Sequence, residues 1–133
     1  MFQRLAHERI EDAEALYAAG RYSAAYYLAG YSIECALKAA ICRKLQRHTL
    51  PARSLLNNVF NHELEKLLIQ SDLSTDFTLD GAARPLLAAN WATLRDWNES
   101  KRYQRNSRLQ ARDIIRAVHV GPDSMLPWLV ARW

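Results

Sequence analysis

The sequence is poor in the residues that punctuate or cross-link small proteins: four glycines, four prolines and two cysteines in 133 residues. So few turn-formers argue against many short strands and hairpins. No stretch shows the period-two alternation of a half-buried strand either. Cys35 and Cys42 are seven residues apart. On one helix that is two turns, roughly 10 Å, whereas a disulfide needs Cα atoms within about 7 Å. Reduced, buried thiols are expected. No zinc-type Cys/His spacing, phosphate loop, Ser/His/Asp set or spaced pair of catalytic carboxylates occurs, so no metal or other cofactor is expected. No uncharged run reaches the roughly 20 apolar residues of a membrane span. Glu34 and Lys38 interrupt the best candidate. The first residues, "MFQRLAHERIEDAEALY", lack the apolar core of a secretory leader, and a cytoplasmic location is the expectation.

What is present is apolar residues at helical spacing. Phe2, Leu5, Ala6, Ile10, Ala13, Leu16 and Tyr17 predict an amphipathic helix ending near Ala19, with Gly20 as its stop. A second helix is predicted from Ser23 to between Arg43 and Arg47, apolar on nearly every face, as a central helix wrapped by others would be. "RHTLPARSLLNN" is a connection broken by Pro51. Asn61 is expected to cap "HELEKLLIQ", and "SDLSTDFTLDG" reads as a polar break. Pro85 suits the first turn of a helix through "LLAANWATLRDW". "NESKRYQRNS" is a second break. "SRLQARDIIRAVHV" is an amphipathic helix stopped by Gly121-Pro122, with a last turn or two through Trp128 and Trp133. The expectation is a single domain over residues 1–133, all-α, an antiparallel up-and-down bundle of four to five helices.

Two features stand out from this plain pattern. First, Glu34 and Lys38 lie four residues apart in the most apolar helix, in the favourable order for a helix ion pair. Tyr27 and Tyr31 extend the same face, giving a polar ridge. Desolvating two charges costs several kcal/mol each, so such a pair is a weak source of stability. Either the ridge lines a ligand cleft, or it is half-exposed or meets a partner at a helix or dimer contact. Second, Arg102, Arg105, Arg108, Arg112 and Arg116 recur at steps of three and four, opposite Ala111, Ile114, Ala117 and Val118. Arginine forks suit phosphates, and nearby aromatics could stack bases. The alternative is a solvated outer face. The net charge of +4 permits an anionic partner without demanding one.

Three segments together resemble the HEPN domain family: "GRYSAAYYLAGYSIECALKAA" in the second helix, "HELEKLL", and "WNESKRY" after the third long helix. The likeness spans roughly Leu5 to Trp128. It implies a helical bundle, usually a homodimer, with a cleft between the second helix and the Arg-Tyr segment. Glu34, Lys38, His62, Arg102 and Tyr103 fall at its motif positions, with Arg102 as the implied partner of Glu34. The resemblance further implies binding of RNA or nucleotide phosphates, with Tyr27, Tyr31, Glu34, Lys38, Arg102, Tyr103, Arg105 and Arg108 as the ligand-binding set. The implied partner is a minimal nucleotidyltransferase, in a toxin–antitoxin-like pair.

Many relatives in that family are metal-independent ribonucleases, marked by an arginine followed four to six residues later by a histidine on the last long helix. The slots after Arg105 hold Gln110, Ala111 and Arg112, and those after Arg102 hold Ser107, Arg108 and Leu109. Literal matches fall elsewhere, at Arg43–His48 and at Arg112–His119. An arginine-rich chain produces such matches by chance. Arg112 and His119 are the candidate catalytic pair of an alternative ribonuclease reading, in which histidine moves a proton and arginine steadies the phosphate. A further alternative is a structural adaptor with no ligand. His7 reads as a surface residue and His62 as a structural one, whereas Trp91 and Trp97 read as core or dimer contact.

Overall fold

The computed structural model describes residues 1–47 and 61–133. The connection around Pro51, and His48 of the Arg43–His48 match, lie outside the described residues. Within them the protein is helical throughout, with no strand. The elements are α1 (Phe2–Ala18), α2 (Tyr22–Arg47), α3 (Leu64–Gln70), α4 (Ser74–Ala83), α5 (Pro85–Leu94), a 3₁₀ helix (Glu99–Tyr103), α6 (Arg108–His119) and α7 (Met125–Val130). Five of these α-helices run ten residues or more and two are shorter, in line with the expected bundle.

Local chemistry sets the boundaries. Gly20 sits at φ +78°, a left-handed conformation that costs glycine little. There the Gly20 N–H bonds the Tyr17 carbonyl and the Arg21 N–H bonds the Leu16 carbonyl, closing α1 and reversing the chain into α2. Pro85 occupies the first turn of α5, where its missing N–H is not needed. Ser107 caps α6 through a reciprocal box with Gln110, each side chain bonding the other residue's backbone N–H.

The central element is α2, 26 residues and about 39 Å long at 1.5 Å per residue. It packs against α1, α3, α6, α7 and the 3₁₀ helix. Ala25, Ala29, Ala36, Ile33, Leu37 and Ile41 of α2 are buried, together with Leu64, Leu67, Leu87, Leu94, Ile114, Met125 and Leu129 from the surrounding helices. Each large apolar side chain is worth about 1.5–3 kcal/mol when buried. An exposed ion pair contributes about 0–1 kcal/mol. The apolar core therefore dominates stability.

The closest approach to α2 comes from Trp97, 1 % exposed. Its indole lies flush against Gly30, so that a Cβ there would stand 2.2 Å from Trp97 Cδ1 and 2.3 Å from Nε1. Only the missing side chain lets the ring reach the helix. Trp91 and Trp97 are thus core residues, and His7 is exposed, as expected.

Two expectations need correction. "SDLSTDFTLDG" is not a break: Ser74–Ala83 forms α4. Its polar composition is overridden because Phe77 turns inward, 5.5 Å and edge-on to Trp128 and 5.6 Å from Trp91. Asp80 accepts hydrogen bonds from Trp128 Nε1 and from Arg132. The second correction concerns Asn61, which is not the cap of the following helix. Its Oδ1 accepts the Glu63 N–H at 2.9 Å in a local turn, and α3 begins at Leu64.

Gly30→Ala is expected to destabilise the fold despite alanine's better helix propensity, worth about 1 kcal/mol. Overpacking against the indole costs about 1–3 kcal/mol or more. Thermal unfolding should show a lowered Tm, and Trp97→Leu in the same background should recover part of the overpacking loss. An unchanged Tm for the single variant would refute the close packing.

Candidate functional site

Glu34 and Lys38 are more deeply placed than a half-exposed ridge would be, at 1 % and 7 % exposure. Lys38 Nζ donates to Glu34 Oε1 at 2.7 Å. The same oxygen meets His62 Nδ1 at 2.9 Å. Glu34 Oε2 is buried with no partner among the described residues. The other ring nitrogen of His62, Nε2, lies 3.4 Å from Glu99 Oε2 at the start of the 3₁₀ helix. Lys38, Glu34, His62 and Glu99 therefore form one chain running from the interior to the surface.

The expected partner of Glu34 was Arg102, and this is corrected: its partners are Lys38 and His62. Arg102 instead lies exposed on the 3₁₀ helix, its guanidinium carbon 4.8 Å from the Tyr103 ring centroid. The 3₁₀ turn carries the Arg102 side chain away from the interior, whereas His62, just before α3, is brought to the carboxylate. Arg102 still belongs to the same neighbourhood. Its pKa lies above the usual arginine value, chiefly through its hydrogen bond with Tyr103 and further through Tyr27 and Glu99.

On the ridge, the rings of Tyr27 and Tyr31 stack with centroids 6.2 Å apart and planes 6° from parallel. Tyr27 also leans on Trp97 at 5.5 Å. Partial burial raises the Tyr27 hydroxyl pKa; Arg102 opposes this, and Glu34 and Glu99 add to it. Burial likewise raises Tyr31, followed by the nearby Cys35 and Glu34. The Cys35 thiol is pushed up to about 11, first by burial and then by Glu34. It stays protonated at neutral pH and is no nucleophile. Cys35 and Cys42 are both free thiols.

Arg105 and Arg108 extend this surface toward the start of α2. Arg108 Nε donates to the Tyr17 hydroxyl at 3.2 Å, and Tyr17 packs edge-on to Tyr22. The Asn106 N–H bonds Ser23 Oγ at 2.8 Å, pinning the segment between them. Arg105 is exposed. The ligand-binding residues expected from the sequence thus line one side of α2 from Ser23 to Lys38, about 22 Å. Arg112 and His119 answer separate carboxylates: Arg112 pairs with Asp113 at 3.1 Å, and His119 with Glu14 of α1.

The implied cleft is not where the cavities are. One of about 580 Å³ is lined by Phe2, Ala39, Cys42, Arg43 and Trp133. Another, of about 260 Å³, is lined by Ala40, Lys44, Ser71 and Arg132. Both lie along the C-terminal half of α2, and neither includes a ridge residue. His62 is a motif position that the sequence reading leaves as structural, and Glu99 goes unnamed there although it stands inside the quoted segment "WNESKRY". Among the described residues no cluster of histidine, cysteine and carboxylate side chains is arranged to hold a metal ion, and no helix is long and apolar enough to cross a membrane.

Glu34→Ala should cost roughly 3–5 kcal/mol, because Lys38 is left buried without its counter-charge. Replacing both with methionine removes both charges and should recover most of the loss. Denaturant unfolding of the single and double variants checks this. Equal destabilisation of both would mean that the pair is not desolvated.

The sequence model of the HEPN domain family matches residues 2–119. No curated protein and no solved structure matches the chain. The all-helical bundle, the central α2 bearing Glu34 and Lys38, and a match over nearly the whole length agree, and the chain belongs to the HEPN domain family, which supports a nucleotide- or RNA-related role.

Proposed function

We propose that this HEPN domain binds RNA or nucleotide phosphates on the surface formed by Tyr27 and Tyr31 of α2 and the Arg102–Arg108 segment. We further propose that it acts as a homodimer beside a nucleotidyltransferase-type partner in a toxin–antitoxin-like pair. The observation that carries the binding reading is the Arg102–Tyr103 pair. Tyr103 is 77 % exposed and supports no core, yet an arginine guanidinium lies over its ring. An exposed aromatic face beside a cation offers stacking to a base and a fork to a phosphate. Arg105 and Arg108 continue the positive charge along the same side, where successive phosphates of a strand would run.

Glu34, Lys38 and His62 support this surface from below. The buried pair and its histidine fix where the 3₁₀ helix stands against α2. The ribonuclease alternative built on Arg112 and His119 draws less support from the geometry. His119 is occupied by Glu14 and Arg112 by Asp113, and no contact joins the two.

Binding of a fluorescein-labelled single-stranded RNA in EDTA should weaken steeply with salt. Tyr103→Ala should reduce affinity by about 5- to 150-fold, the range of about 1–3 kcal/mol for one base–aromatic stack. Arg102→Ala should lower the salt slope by about one. Fluorescence anisotropy measures both, and gel analysis of the same mixtures should show intact RNA. Degradation abolished by His119→Ala would replace this reading with the ribonuclease one, and neither binding nor cleavage would favour the adaptor.

A further inference from the structure

His62 ties the buried Glu34 of α2 to the start of the 3₁₀ helix that carries Arg102 and Tyr103. Nδ1 faces Glu34 Oε1 at 2.9 Å and Nε2 faces Glu99 Oε2 at 3.4 Å. A neutral imidazole has one N–H and can donate to only one of the two carboxylates. The imidazolium donates to both. With it, charges alternate along the chain: Lys38 positive, Glu34 negative, His62 positive, Glu99 negative. Without it, two carboxylates face one ring with Lys38 alone between them and the core.

Among the described residues, other charged groups near the ring leave this balance in place. Beside it in sequence, Glu63 is engaged by Lys66 at 2.9 Å. From the 3₁₀ helix come Glu99 and, a turn further on, Arg102. From α2 come Glu34, Lys38 and the hydroxyl-bearing rings of Tyr27 and Tyr31. The His62 side chain is 41 % exposed, so protons reach it directly from solvent.

Resting on the binding reading above, we infer that His62 is a positioning residue: as imidazolium it clasps Glu99 to the buried Glu34 and so holds the 3₁₀ helix with Arg102 and Tyr103 in its ligand-ready place. The clasp acts through Glu99 and touches no ligand. Loss of the proton frees the Glu99 end, because Glu34 is buried and keeps the remaining N–H. The turn then keeps its backbone bonds, the Asn98 cap on Ser100, the contact of Arg102 with Tyr27 and its root at Trp97, but loses its tie to the buried carboxylate. RNA affinity is therefore greater where the ring holds both protons and falls on the alkaline side.

The test compares wild type with His62→Gln, which keeps an N–H for Glu34 without the charge, and with Glu99→Gln, a surface change that leaves the core intact. Affinity for a labelled single-stranded RNA of 12 nucleotides is measured from pH 5.5 to 8.5 at fixed ionic strength. Wild-type affinity should drop by on the order of fivefold or more across that range. Both variants should give a flatter profile near the wild-type high-pH value. His7 and His119 are present in all three proteins, so the difference between profiles isolates His62.

A second readout needs no RNA. Amide hydrogen exchange of residues 100–104, corrected for intrinsic rate, should quicken at high pH in wild type and be fast at every pH in Glu99→Gln. Parallel affinity profiles for wild type and His62→Gln would overturn the clasp while leaving RNA binding in place. Absence of RNA binding at every pH would remove the binding reading, and exchange rates indifferent to pH and to Glu99→Gln would remove the clasp independently.

Discussion

The structure depends on one constraint: a carboxylate at the middle of its central helix has been taken out of water. Glu34 is 1 % exposed, and the effective cost of burying such an ion is several kcal/mol. Three consequences follow from the need to offset it. Lys38 must sit one turn on, His62 must reach across from the segment before α3, and the surface must close over both. An apolar pair of similar volume would meet the same packing demand at lower cost. The charges are thus better understood as a device that holds neighbouring elements in register than as a source of stability.

That device has a direction. On the interior side, Gly30 and Trp97 bring the segment before the 3₁₀ helix into contact with α2 through apolar packing. On the outer side, the His62 ring stands between Glu34 and Glu99, 2.9 Å and 3.4 Å from their carboxylate oxygens. The Arg102–Tyr103 turn thus stands between an oily anchor and a polar one. Beyond it, the Asn106–Ser23 hydrogen bond and the Ser107 cap fix where α6 begins. The exposed arginines and tyrosine thus project from a segment anchored at both ends.

The parts of this arrangement legible in the sequence are those that repeat locally. α1, α2 and α6 follow from apolar spacing, and Gly20 and Pro85 act where their backbone chemistry places them. Glu34 and Lys38 could be recognised as a pair because they share one helix. What could not be read is what depends on distant partners. α4 is polar in composition and is held by Phe77 against tryptophans from two other helices. His62 meets Glu34 across 28 residues of chain, and nothing in its local spacing announces this. Arg102 is the natural counter-ion by charge and motif position, but a tight 3₁₀ turn sends its side chain outward. The two cavities beside the C-terminal half of α2 likewise arise from how α1, α2 and the last residues meet, which no local pattern encodes.

The four-residue spacing of Glu34 and Lys38 also bears on how the chain assembles. An ion pair within one helix can form as soon as that helix does, while it is still bathed in solvent. Each charge is then already matched before any other element covers it. His62, arriving from far along the chain, joins a neutral couple and never has to seek out a lone buried anion. No stage of collapse need pass through an isolated charge in a dry interior, the species that would most retard folding.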